Sequence, residues 1–488
     1  MMRKTIARAA LLVILVWAGG ACNSDRLTEI NVNPNAPTSA DGQFLLPNAT
    51  QNAVQTILTG GQFRSHTGIW TGHLSQIQYP DEETGLVRPS TMENAWTGFY
   101  TGPLRDLVMV IRQGVEEDLP NYEAVGRIMK AWVFHHMTDY WGDLPYSEAL
   151  THEDSVNTTP VYDTQQSIYT DLLAELTAAA ALLEPGGDGF VAGDLIYGND
   201  FAAWRLFANS LRMRLAMRLS EVDAATAEAQ FVAAYNAGGF ASAADNAWLN
   251  YPGPPYENPM HENWLGRDDH AMSATMIDTL LSYNDPRLEL FAEPAESDGV
   301  YRGQPNGYEQ VVDPYTMVDI SRIGNYWREN GAATPTLIMG YSEVLFLQAE
   351  AAHRGWIAGD PATLYVSAVT AAMNEYPNAP NTPTTGEINA YLAQPEVAYA
   401  GGAAGLDQIY LQKWIGLWMN GAEAWSHVRR TNVPYLTPGP DLITTSGEIP
   451  VRFSYPDSEQ SLNAANLDAA VARQGGLTLE ERLWWDAN

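Results

Sequence analysis

The sequence predicts an all-α protein: a scaffold of helical hairpins of tetratricopeptide type, interrupted by long loops. Three observations carry this. Helix-capping residues recur just ahead of apolar stripes at helical spacing, alanine-rich inner faces allow close helix approach, and long Gly/Pro/Asn-rich segments separate the helical blocks. The repeat period is too blurred to give a repeat number.

The chain opens on a leader. Arg3, Lys4 and Arg8 precede an apolar run, Ala9 to Ala18, and the small residues Gly19, Gly20 and Ala21. This order is that of a secretory signal peptide, expected over residues 1–21. The apolar run has roughly ten residues, against the ~20 needed to span a bilayer. The sole cysteine of the 488-residue chain, Cys22, follows immediately. A cysteine directly after the small-residue cleavage region is what bacterial lipoprotein processing requires, so Cys22 is the expected lipidation site and would anchor the chain to outer-membrane lipid. Gly19 stands at −3, where a bulky aliphatic is usual. Residues 22–45 are expected to be the lipidated N-terminus and tether, because the stretch from Asn23 to about Ala40 is rich in Asn, Pro, Ser and Thr.

Charge excludes one class of function. The chain has 26 basic and 58 acidic side chains, a formal −32; without residues 1–21 this is 23 against 58, or −35. Such a surface repels phosphate backbones, so nucleic-acid binding is excluded. The cations are nearly all Arg, and only Lys4, Lys130 and Lys413 are lysines. This bias suits a saline habitat, where screening suppresses self-repulsion, and equally a GC-rich genome. With no second cysteine a disulfide is impossible within the chain, and the core alone supplies stability.

The helices follow in order. Asp163 is expected to cap a helix running to about Leu183, with Gln166 as capping-box partner. Asp200 precedes a helix whose stripe is Trp204, Phe207, Leu211, Leu215 and Leu219. Tyr341 to about Arg354 is a third, closed by Gly355; Asp360 and Pro361 then open a fourth that stops near Tyr376-Pro377. A last long helix is expected from about Leu406 to Val428. Between these blocks, approximately 60–95, 240–270, 295–335 and 431–488 read as long loops, which in a compact domain are usually functional or poorly ordered. They hold many aromatics, whose flat rings suit ligand stacking or packing onto the helices. One domain is expected over 46–488, with scaffold at about 46–240 and 336–430, an insertion at about 241–335 and a packed C-terminal region at 431–488.

Catalytic and metal-binding patterns are weak. His135-His136 sit mid-helix at adjacent positions, so they are expected on different faces. Asp268-Asp269-His270 reads as a solvated polar loop rather than a metal cluster. Asp188, Asp194 and Asp200 read as turn and cap residues, and a structural Ca²⁺ there lacks support, since the EF-hand spacing is absent. No cofactor and no metal are expected. The stripe Arg205, Arg212, Arg214 and Arg218 either meets an anionic ligand or pairs with nearby carboxylates along the core edge. Glycosidase carboxylates need a fixed separation, and among 58 acids the sequence nominates no pair. No G-x-S-x-G or P-loop pattern occurs, so the chain is read as non-enzymatic.

A series of motifs carries a family resemblance. In order they are Asn31-Val32-Asn33-Pro34-Asn35, Trp141-Gly142-Asp143-Leu144-Pro145-Tyr146 with Ser147-Glu148-Ala149, the Trp204–Arg218 helix, Asp285-Pro286-Arg287-Leu288, Tyr341–Ala351, Gln412-Lys413-Trp414, Trp425–Thr431, Pro450–Pro456 with Glu459 and Asn463, and Trp484-Trp485-Asp486. With these in this order the chain resembles the SusD/RagB family of outer-membrane nutrient-binding lipoproteins, most nearly the subgroup described as starch-binding associating with outer membrane. The resemblance implies a right-handed scaffold of four helical hairpins with ligand-side loops in the insertion, sitting as a lid over a SusC-like TonB-dependent outer-membrane barrel. It implies binding of a glycan or a peptide at the cell exterior and delivery to the pore without catalysis. Most motif residues read as structural. The expected ligand platform is Trp70, Trp96, Tyr256, Trp264 and Trp327, with Asn94 as a hydroxyl partner. The alternatives are a peptide-binding lid, a helical-scaffold glycoside hydrolase and a scaffold that holds a partner protein.

Overall fold

Caps and stops set the helix boundaries. In the computed structural model, which describes residues 40–151 and 157–487, α1 (Gly42–Val54), α2 (Pro89–Phe99), α3 (Arg105–Glu116), α4 (Pro120–Trp141) and α5 (Gln165–Leu182) precede α6 (Phe201–Arg218) and α7 (Ala224–Ala237). Next come α8 (Pro259–Gly266), α9 (Ala274–Ser282), α10 (Tyr341–His353), α11 (Pro361–Met373) and α12 (Thr385–Leu392). The chain finishes with α13 (Gly402–Gly416), α14 (Gly421–Thr431), α15 (Asp457–Leu462) and α16 (Ala464–Gln474). The fold is mainly α. Its strands are short and form four antiparallel two-stranded ribbons, among them Leu74–Gln76 with His270–Met272 and Ala247–Leu249 with Thr336–Met339. The expected signal peptide, Cys22, the Asn31–Asn35 motif and nearly all of the expected tether lie outside the described residues. The unit from Gly42 onward is helical from its first residue, so the tail of the expected tether is in α1.

Hairpin packing follows from chain order. α3 packs on α4, α4 on α5, α5 on α6, α6 on α7, and α10 on both α11 and α13. α4 is buried on nearly every face from Asn121 to Trp141, as expected of a helix at the centre of a core. Pro120 starts it and Gly142, at φ 85°, ends it. Asp200 caps α6 by accepting from the Ala202 and Ala203 amides at 3.0 Å, as its sequence position predicts. Replacing Asp200 with Ala should lower stability by about 1 kcal/mol, read from chemical denaturation.

Three boundaries differ from the sequence reading. The cap of α5 is Thr164, whose side chain accepts from the Ser167 amide; Asp163 pairs in a ribbon and its carboxylate holds Ser147. The single helix expected from Leu406 to Val428 is two, because Met419 turns at φ 65° and Asn420 caps a new start at Gly421. The loops expected at 60–95, 240–270 and 431–488 contain helices, so Trp96 lies on α2, Trp264 on α8, and α15 and α16 fall in the tail.

Ion pairs run through the helix interfaces. Arg214 of α6 makes two 2.7 Å bonds to Glu343 of α10. Arg218, one turn on, meets Glu423 of α14 at 2.5 Å and Asp139 of α4 at 3.3 Å, and Lys413 reaches Glu423 at 3.3 Å. Arg430 clasps Glu350 with two 2.7 Å bonds. Burial alone would raise Glu350; Arg430 and Arg354 outweigh it and hold the carboxyl down to about 2. All of these groups except Arg354 are almost fully buried. The arginine stripe therefore takes the second of its two readings: Arg214 and Arg218 pair internally, Arg205 donates to the Ala180 and Leu183 carbonyls, and Arg212 to Gln230.

The tail locks onto the end of α4. Phe453 N donates to the Tyr140 carbonyl at 2.7 Å and Arg452 Nη2 to the Trp141 carbonyl at 2.7 Å. Tyr455 OH lies 2.9 Å from the Trp141 carbonyl and 2.7 Å from that of Asp143. Two motifs distant in sequence thus satisfy one helix terminus, the stretch at 452–455 being irregular rather than strand.

Candidate functional site

Two π-helical turns, Gln55–Thr59 and Phe63–Thr67, break the helix after α1 and leave the bare Gly60-Gly61 backbone between them. Glycine is required at 60: a Cβ there would stand 2.1 Å from the Gln55 carbonyl oxygen. At Gly61 a Cβ would meet nothing within 4 Å, so this backbone faces open space. Turns of this kind often occur at functional sites.

Here they form one wall of a groove of about 430 Å³. Asn52, Gln55, Thr56 and Gln62 line that wall, Thr91 and Asn94 of α2 line a second, and Pro259 and Glu262 of α8 close the third. α8 packs against the first π turn, and Arg64 donates to Asn263, tying the helix in place. Asn258 caps α8 and Pro259 occupies its first turn. Most of the groove's side chains are amides and hydroxyls; Ala95 and Pro259 are apolar, and Glu262 is the one charged group among those lining it. Gln62 is buried, and its Oε1 has no hydrogen-bond partner among the described residues. A buried amide oxygen left unpaired is costly.

The expected platform residues separate. Asn94 is exposed and lines this groove. Trp96 and Trp327 are 4% and 1% exposed, and this corrects their assignment as stacking surfaces; Trp70, 3% exposed, is largely covered by neighbours and lines the hollow under the tail, not this groove. Trp70 packs on His66, Trp425 and Phe453, and Trp96 on Trp141 and Tyr455. Trp327 packs on Tyr376 and Trp418. Trp264 is half-buried against His261, 5.4 Å between centroids; two residues on from Glu262, it stands on another face of α8. Tyr256 is 57% exposed, three residues ahead of the groove's Pro259. Of the six, the structure brings Asn94 to the groove and leaves Tyr256 solvent-facing. Sequence reading missed Gln55, Gln62 and Thr91, which carry no motif; the Gly60-Gly61 pair beside Gln62 was the available signal.

Other polar clusters are structural. The His135 and His136 rings are 3.8 Å apart and both buried, correcting the reading that placed them on different faces. Burial drives both well below the usual imidazole range. Asp268 pairs with Arg328 at 2.7 Å, while Asp269 and His270 are buried, 3.1 Å apart, so this triplet is not a solvated loop. Asp194 accepts from the Ile196, Tyr197 and Asn199 amides and from Trp204 Nε1, a turn role. Among the described residues no group of three or more His, Cys, Asp or Glu could hold a metal, and no helix is long and apolar enough to cross a membrane. A second hollow, about 450 Å³ under the tail, is lined by Trp70 and by Arg429, Glu448, Glu480 and Arg482, and carries more charge than the amide groove.

Comparison with known proteins bears on the whole chain. A solved "chitin-binding protein" is 31% identical, with a TM-score of 0.80 over 92% of this chain and 99% of that one. A Bacteroidetes AC2a SusD-like structure is 26% identical, with a TM-score of 0.81 over 92% and 100%. A chitin-binding SusD homologue from Flavobacterium johnsoniae, 24% identical, shares the fold with a TM-score of 0.78 over 92% and 97%. The comparison with curated proteins found no match. The profile of the SusD-like family described as starch-binding associating with outer membrane matches residues 34–456, and with it the chain belongs to that family.

Proposed function

We propose that the protein is a cell-surface lipoprotein that binds a neutral oligosaccharide in the amide groove and hands it to a SusC-like TonB-dependent outer-membrane barrel. Cys22 carries the lipid, residues 1–21 are the leader, and the segment after Cys22 is the tether. The observation that carries the glycan reading is the groove itself in a chain of this family: amides and hydroxyls make up most of its lining, and Asn94 is exposed within it. A sugar hydroxyl both donates and accepts, and so matches carboxamide groups. The chitin-binding neighbour at 31% identity supports a glycan over a peptide. The lid binds and the barrel moves the ligand; no catalytic step is assigned.

Titration of the detergent-solubilised protein with chitohexaose and with maltohexaose tests this. Saturable heat is expected with at least one, and Asn94→Ala should weaken it about tenfold, the loss of ~1.4 kcal/mol that one good hydrogen bond represents. Heat from a peptide library and none from either glycan would transfer the reading to peptides. Cys22→Ser should release the protein from the membrane fraction; retention of that variant would refute the anchor.

A further inference from the structure

A separate hollow of about 250 Å³, sharing no lining residue with the amide groove, opens between the strand Ala247–Leu249, the loop at Tyr326 and the end of α11. Three rings converge on it. Buried Tyr376 meets Trp248 edge-on at 5.7 Å and 70°, and Tyr326 at 5.9 Å and 68°. Trp248 and Tyr326 are half-buried, so each keeps part of a ring toward the opening. Asn250 and Asn378 stand exposed at the rim, with no side-chain hydrogen bond among the described residues.

The floor is Glu375. Its carboxylate accepts from Asn246 Nδ2 at 3.0 Å and from the Ser342 hydroxyl, and no cation pairs with it among the described residues. Two accepted bonds leave capacity on a group that can accept about four. Burial pushes this carboxyl up to about 7, which a donor from the hollow would relieve. Ligand clefts commonly measure about 300–1,000 Å³, so this one suits a single ring. An anion would meet Glu375 without a cation to offset it.

Resting on the glycan reading above, we propose that this hollow is a second saccharide subsite for one pyranose unit of a neutral glycan. Its C–H face lies on Trp248 and Tyr326, and its hydroxyls bond Asn250, Asn378 and Glu375. The physical logic is an apolar ring face on an aromatic with polar edges on amides.

The experiment titrates the detergent-solubilised full-length protein with chitohexaose and maltohexaose, as wild type, Asn250→Ala/Asn378→Ala, Trp248→Ala and Asn94→Ala. The double variant changes only exposed rim amides, so the fold is preserved even if Trp248→Ala disturbs its strand. The inference expects the double variant to weaken binding about tenfold, and a structure soaked in the bound glycan to show a sugar ring at Trp248. Wild-type binding that Asn94→Ala weakens and the double variant leaves unchanged would overturn the second subsite while keeping the groove. Wild type that binds neither glycan would overturn both.

Discussion

Replacing Arg218 with Ala should destabilise the protein by about 3–5 kcal/mol, the cost of removing one partner from a buried ion pair. Arg218 is 3% exposed and faces Glu423 and Asp139, each 1% exposed. Without the guanidinium, two carboxylates from different helices remain buried together, and Lys413 at 3.3 Å covers one of them. The same change at Arg105, whose side chain is 63% exposed beside Asp106, should cost less than ~1 kcal/mol because water screens the pair. Denaturant midpoints of the two variants make the comparison. Equal effects would show that burial is not what gives the network its weight.

Acidification from pH 7 to 5 should lower stability steeply. Burial holds His66 and His73 down to about 3, and drives His135, His136 and His427 well below the usual range. The unfolded chain takes up protons near pH 6.5 that these folded imidazoles refuse, so their contribution is present above that pH and is lost as pH falls toward the folded values. Glu83 and Glu375 act in the opposite sense. Burial pushes both up to about 7, so their contribution is full below the unfolded value near 4.5 and is lost as pH rises through 7. The five histidines outnumber the two glutamates, so the net effect is loss of stability as pH falls toward 5. Denaturant midpoints at pH 7, 6 and 5 measure it, and midpoints that do not move would contradict the neutral burial of these rings.

The helices were legible because capping is local chemistry. Asp200 and the Asp360-Pro361 pair announce their helices within a few residues, and both cap as expected. The break at Met419-Asn420 was not legible, because the Ile415–Ala424 stretch keeps an apolar pattern across it. The aromatics misled for a different reason. A Trp in a Gly/Pro-rich segment has the same sequence signature whether it faces a ligand or covers the core. Here Trp70 and Trp96 join a cluster assembled from residues as distant as Trp141 and Phe453, a long-range packing that no window reveals. The same holds for the groove. Gln55, Gln62 and Asn94 become neighbours only because two π turns and α2 place them so, and Asn94 was found through its nearness to Trp96, a residue that turns out to face inward.

The groove carries one charged side chain, Glu262, in a strongly acidic chain. A chain at −32 repels anionic polymers at long range, while an uncharged polyol feels little of that field.

A structure of the protein soaked with chitohexaose or maltohexaose, whichever gives heat in titration, is the most direct test of the groove. Sugar density is expected beside Gly60-Gly61, with a hydroxyl within hydrogen-bond distance of the exposed Asn94 side chain. Density confined to the charged hollow under the tail, with the groove empty at saturating sugar, would contradict it.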